Sequence, residues 1–139
     1  SNTLTVNADL YLSGSATVND NLIYNGSSWD PVVSPTIGFN ASANGNGAYR
    51  LVGGGVDAST DNPTVFVYRG FTYRFNNLTG SAHPFALRQT SGGSAVTEGV
   101  TGSQDSVQYW TVPMDLAPGT TYVYQCTIHP AMVGNLTVV

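Results

Sequence analysis

Apolar and polar positions divide the chain into two regimes. Over residues 1–33 the apolar positions return every six residues. Leu4, Leu10, Ala16 and Leu22 form one series, and Val6, Leu12, Val18 and Tyr24 the other. Each rung is an apolar-x-apolar triplet, which places two side chains on one face of a short strand. Small polar residues such as Asn7, Asp9, Ser13, Gly14 and Asn19 fill the gaps. A hexad of this kind predicts stacked rungs, each burying its apolar pair on the next. One thin chain cannot close a core around such a stripe, so the pattern predicts a β-repeat stalk shared between chains. Three chains about an axis bury the stripe at every rung, and a homotrimer is the expected assembly. The competing readings are a plain β-meander of three short strands, or a stripe that folds back onto the chain's own sandwich as extra strands.

Residues 34–48, SPTIGFNASANGNGA, read as a Gly/Asn/Ser-rich connector. From Tyr49 onward the period changes to the alternation of longer strands, expected near 48–53, 64–68, 71–77, 83–89, 106–112, 121–126 and 134–139. In 71–77, Phe71, Tyr73 and Phe75 alternate with Thr72, Arg74 and Asn76, so one face is expected to be buried. In 121–126, Tyr122, Tyr124 and Cys126 alternate with Thr121, Val123 and Gln125. No window shows helical periodicity. Short strands in this number, separated by turn-rich loops, predict an all-β Greek-key sandwich over 49–139, preceded by the stalk. Leu116-Ala117-Pro118-Gly119-Thr120-Thr121-Tyr122 resembles the corner before a late strand, where a tyrosine hydroxyl ties the chain to its own loop.

Charge narrows the function. Only 9% of the 139 residues are charged, against ~25% in a typical domain, and the formal net charge is -4. The four basic residues, Arg50, Arg69, Arg74 and Arg88, are scattered, so no basic patch for nucleic acid is expected. No run approaches the ~20 apolar residues of a membrane span. Glu98 is the single glutamate, and no second carboxylate stands out to pair with it for glycosidase chemistry. Gly53-Gly54-Gly55 lacks the lysine and hydroxyl of a phosphate loop. No enzyme is expected.

The chemistry concentrates in a few residues. The chain has two histidines, one cysteine and two methionines, and three of these five stand in Cys126-Thr127-Ile128-His129-Pro130-Ala131-Met132. A lone thiol is a core residue, a reactive group or a metal ligand. The spacing Cys-x2-His-x2-Met on a tight turn between two strands allows all three to face one ion. The other histidine, His83, is expected to open a strand that a sandwich can place beside this turn. A thiolate, two imidazoles and a weak thioether suit copper and electron transfer, because soft sulfur stabilises Cu(I) while imidazole and thiolate accept Cu(II). Met114 lies outside this group and is expected to pack. Asn77-Leu78-Thr79 and Asn135-Leu136-Thr137 match glycosylation acceptors, a match expected by chance in so Asn- and Thr-rich a chain.

At these residues the chain resembles a cupredoxin. The run from Tyr122 through Cys126, His129 and Met132 to Val138 is similar to the ligand loop of the amicyanin and plastocyanin branch. The resemblance implies His83, Cys126 and His129 as equatorial copper ligands and Met132 as the axial one. The family usually places asparagine after its first histidine, where it braces the cysteine loop. Here Pro84 takes that place, so the shell around the ligands is expected to differ. The stalk, the low charge and phrases such as Leu22-Ile23-Tyr24-Asn25-Gly26-Ser27-Ser28-Trp29 resemble bacteriophage tail-fibre and virion-decoration proteins. The resemblances together imply a copper-binding cupredoxin head on an extracellular fibre or virion appendage, with a virion partner or host surface to engage. The alternative is a structural or adhesive sandwich with no metal in use.

Overall fold

The computed structural model describes residues 36–139. The stalk expected over 1–33, and with it Trp29 and the trimer interface, lies outside the described residues. Among the described residues nine strands form two sheets. They are β1 (Thr36–Asn44), β2 (Ala48–Val52), β3 (Val65–Val67), β4 (Thr72–Asn77), β5 (Phe85–Arg88), β6 (Val100–Gly102), β7 (Val107–Thr111), β8 (Thr121–Cys126) and β9 (Val133–Val138). The first sheet runs β2-β1-β4-β7-β6 and the second β3-β9-β8-β5. Most pairs are antiparallel, but β1 runs parallel to β4 and β3 parallel to β9. The architecture is the all-β sandwich that the alternation predicts.

The two sheets share one core. Phe39, Tyr73, Phe75 and Trp110 come from the first sheet, and Val65, Phe85, Leu87, Tyr124, Leu136 and Val138 from the second. An aromatic column crosses the gap. Phe39 stacks on Phe75 at 5.6 Å, Phe75 on Phe85 at 5.2 Å, and Phe85 on Tyr124 at 5.0 Å. Fully burying a side chain of this size contributes roughly 1.5–3 kcal/mol, and aromatic pairs add about 0.5–1.5 kcal/mol each. Phe85 stands in the middle of the column, two residues from His83.

Four local features differ from the sequence reading. Residues 36–44, read as part of a connector, form β1, which is paired on both sides by β2 and β4. A strand so flanked needs little apolar content of its own, and only Phe39 and Ala41 are fully buried there. The short β6 falls where a loop was expected, because Val100-Thr101-Gly102 is too brief to show a period. In β8 the alternation fails at its end: Val123 and Gln125 are buried as well as Tyr124 and Cys126. There the outer face is covered by the 89–94 loop, whose Gly92 N–H donates to Gln125 Oε1 at 2.7 Å. Finally, the 116–122 corner is tied by Thr120, whose N–H and hydroxyl both donate to Ala117 O at 3.1 and 2.7 Å. The Tyr122 ring instead packs edge-on against Trp110 at 5.4 Å.

Candidate metal centre

One end of β8 and the start of β9 define the site. Gln125 pairs with Val133 across the hairpin, leaving 126–132 as its loop. That loop is closed on itself by three backbone bonds. Cys126 N–H donates to Met132 O, Met132 N–H to His129 O, and Val133 N–H to Ala131 O, each at 3.0 Å. Cys126 therefore points into the core at 2% exposure, and Met132 at the other end is fully buried. The Cys126 sulfur accepts the His129 backbone N–H at 3.3 Å, which turns His129 back over it.

His83 lies on the connection that leaves β4 of the first sheet and enters β5, the strand paired with β8 in the second. It does not open a strand as expected. It follows a single 3-10 turn, Gly80–Ala82, and β5 begins only at Phe85. The intervening Pro84 has no N–H to give to a ladder, so pairing cannot start before it. Pro84 still ties the two segments, because its carbonyl accepts Thr127 N–H at 3.3 Å.

These segments bring three donor atoms together. His83 Nδ1 lies 4.0 Å from Cys126 Sγ, His129 Nδ1 lies 3.7 Å from it, and the two Nδ1 atoms are 3.0 Å apart. A point in their plane equidistant from all three lies about 2.1 Å from each, inside the ~2.0–2.3 Å range of metal–nitrogen and metal–sulfur bonds. His83, Cys126 and His129 thus have the identity and spacing to hold an ion, and they form one cluster in which only the histidines are partly exposed. The donor set, two imidazoles and one thiol with a buried methionine on the same loop, fits copper. Without an ion the 3.0 Å Nδ1–Nδ1 approach is a hydrogen bond once one ring carries its proton there.

The shell around the cluster was not legible as such. Tyr49 OH donates to His83 O at 2.7 Å and Asn77 Nδ2 to the same oxygen at 2.8 Å. Gln125 Nε2 donates to Pro130 O at 2.9 Å and Asn62 Nδ2 to Ala131 O at 3.2 Å, so side chains grip the loop from both flanks. Burial first, and the nearby Cys126 sulfur second, hold the Tyr49 phenol well above its ordinary pKa. The sequence carried one signal for this shell, the polar residues Asn77 and Gln125 inside otherwise apolar strands. Met114, expected to pack, is largely exposed, its side chain lying over Gly70.

No protein-family model matches the chain, and no curated protein sequence matches it. Solved structures do. Rusticyanin from Thiobacillus ferrooxidans is 22% identical, with 75% of this chain and 76% of that one covered at a TM-score of 0.43. A Cu(I) form of an amicyanin variant is 22% identical, with 78% of this chain and 87% of that one covered at a TM-score of 0.42.

Proposed function

We propose that residues 36–139 form a copper-binding electron-transfer module. The observation that carries this reading is the convergence of His83 Nδ1, Cys126 Sγ and His129 Nδ1 about one point at metal-bond radius. Copper bound there supplies a one-electron couple between Cu(I) and Cu(II). Cys126 and Met132 offer the soft donors, and their burial keeps water from the sulfur side. His83 and His129 offer the imidazoles and are the members of the cluster that reach the surface, so an electron would enter and leave at their edges. The closed 126–132 loop and the sheet pairing keep the donors in place whichever charge the ion carries, so little has to rearrange. In this reading the module is not an enzyme.

The wider setting we propose is the extracellular fibre or virion appendage, as a homotrimer joined through 1–33. What supports it is the apolar hexad of that segment, seven large apolar residues that a single thin chain leaves in water. Light scattering that returns a monomer for the full chain ends the trimer.

Copper addition tests the module. Cu(II) should give intense visible absorption from thiolate-to-copper charge transfer, and Cys126→Ser should abolish it. A ligand that binds only the folded state stabilises it by RT ln(1 + [L]/Kd), about 4 kcal/mol at a thousandfold excess over Kd, so melting should rise with copper and return with a chelator. A colourless adduct or an unchanged melting curve refutes the copper reading and leaves a structural sandwich.

A further inference from the structure

Asn77-Leu78-Thr79 carries the pattern of a glycosylation acceptor, but the fold uses it otherwise. Asn77 is 6% exposed and every polar atom of its side chain is engaged. Its Oδ1 accepts the Thr79 N–H at 2.9 Å and the Thr79 hydroxyl at 2.6 Å, an Asx turn reinforced by the hydroxyl. Its Nδ2 faces three carbonyls: His83 O at 2.8 Å, Gln104 O at 2.9 Å and Gly80 O at 3.2 Å. Two amide protons serve the two shorter contacts. The opposite amide orientation would set an oxygen against three oxygens, so the orientation is settled by its partners.

The His83 carbonyl has a second donor in Tyr49 OH at 2.7 Å. A carbonyl offers two lone pairs, and Asn77 and Tyr49 fill both. The Thr79 hydroxyl also lies 3.1 Å from this oxygen, but its one proton goes to Asn77 at the shorter distance. Neither donor can swing away. The Tyr49 ring is fully buried, edge-on to Phe85 at 5.0 Å and to Tyr124 at 6.1 Å. Its own N–H is held by Asn62 Oδ1 at 2.9 Å.

The His83 segment is also held from the second-sheet side, where the Pro84 carbonyl accepts Thr127 N–H at 3.3 Å and Phe85 pairs with Cys126. On His83 itself the N–H makes only a long bond, 3.3 Å to Gly80 O, so the carbonyl, with its two short bonds, is the firmest hold on this residue's own backbone. Cys126 and His129 are placed by β8 and its loop in the second sheet. Asn77 and Tyr49 belong to β4 and β2 in the first. The carbonyl of His83 is therefore the point at which the first sheet sets one donor against the two supplied by the second.

We infer that Asn77 and Tyr49 are positioning residues for His83, clamping its carbonyl so that its ring meets Cys126 and His129 with or without an ion. The effect on copper rests on the reading of the preceding subsection; the effect on the ring does not. Asn77→Ala and Tyr49→Phe test it, the second keeping the buried ring and removing the hydroxyl alone. In metal-free protein, proton NMR should lose the His83–His129 ring contact in both variants while His129 keeps its contact with Cys126. With copper, affinity should fall roughly 10–100-fold in Asn77→Ala, the usual cost of losing an outer-shell partner, and the reduction potential should shift. Val67→Ala, a core truncation in β3, should lower melting without moving affinity or potential. If both clamp variants keep the ring contact, the inference is overturned. If the contact is lost but the wild type gives no copper spectrum, the clamp stands and the copper reading fails.

Discussion

Replacing Gly134 by alanine tests how tightly the hairpin that carries the site is packed on the core. Gly134 is buried in β9, opposite Tyr124, and its backbone has no left-handed strain. Any cost of Gly134→Ala is therefore steric. An added Cβ would lie 2.2 Å from Tyr124 Cζ and 2.2 Å from its hydroxyl oxygen. Ordinary carbon contacts fall near 3.5–4.0 Å, so the ring must retreat by more than about 1 Å. It has nowhere to go. One face stacks on Phe85 at 5.0 Å with the planes 8° apart, and the hydroxyl donates to Pro63 O at 2.5 Å. Overpacking costs roughly 1–3 kcal/mol, and displacing that hydrogen bond adds about 1 kcal/mol, for a total of roughly 2–4 kcal/mol. At about 4–8 °C per kcal/mol for a domain near this size, melting should fall on the order of 10–25 °C. Thermal unfolding followed by circular dichroism measures it. Tyr124→Leu shortens the obstructing side chain, so the double variant should be less destabilised than the two single losses added together. Melting within about 3 °C of wild type, or strict additivity in the double variant, would refute the packing argument.

Two further outcomes follow from side chains held inside the fold. Asn62 has a left-handed backbone (φ 49) and caps the Tyr49 N–H, so Asn62→Ala should cost roughly 2–4 kcal/mol in urea unfolding and Asn62→Gly, which relieves the backbone strain, clearly less; equal losses would show that φ plays no part. Burial raises the phenol pKa values of Tyr49, Tyr73 and Tyr124 above the ordinary 10.0. Those phenols stay protonated in the folded state, so their contribution is complete below pH 10.0 and is lost as pH climbs above it, where the unfolded chain releases the protons first. Ultraviolet phenolate absorbance should therefore count fewer than eight tyrosines until the protein unfolds, and a full count in the folded state would contradict the burial.

Sequence alone was enough for the class of fold and for singling out His83, Cys126 and His129, which the fold gathers into one cluster. Tyr73 and Phe75 in β4 announced a buried face by alternation, a local property that survives without knowledge of partners. Cys126 and His129 could be picked out together because a hairpin loop brings near neighbours in sequence near in space. What lay beyond reach was whatever depends on a partner strand. β1 looked like a linker because its burial is supplied by β2 and β4 on either side, not by its own composition. Pro84, with no N–H, showed that a ladder could not begin at His83, yet nothing local could say that Asn77 and Tyr49, from β4 and β2 of the first sheet, meet on the His83 carbonyl. Gln125 read as a solvent-facing residue until the 89–94 loop was seen to cover it. Side-chain period along a strand is written in the chain, whereas the choice of neighbour across a sheet, and the hydrogen bonds that hold His83 against Cys126, exist only once distant segments have paired.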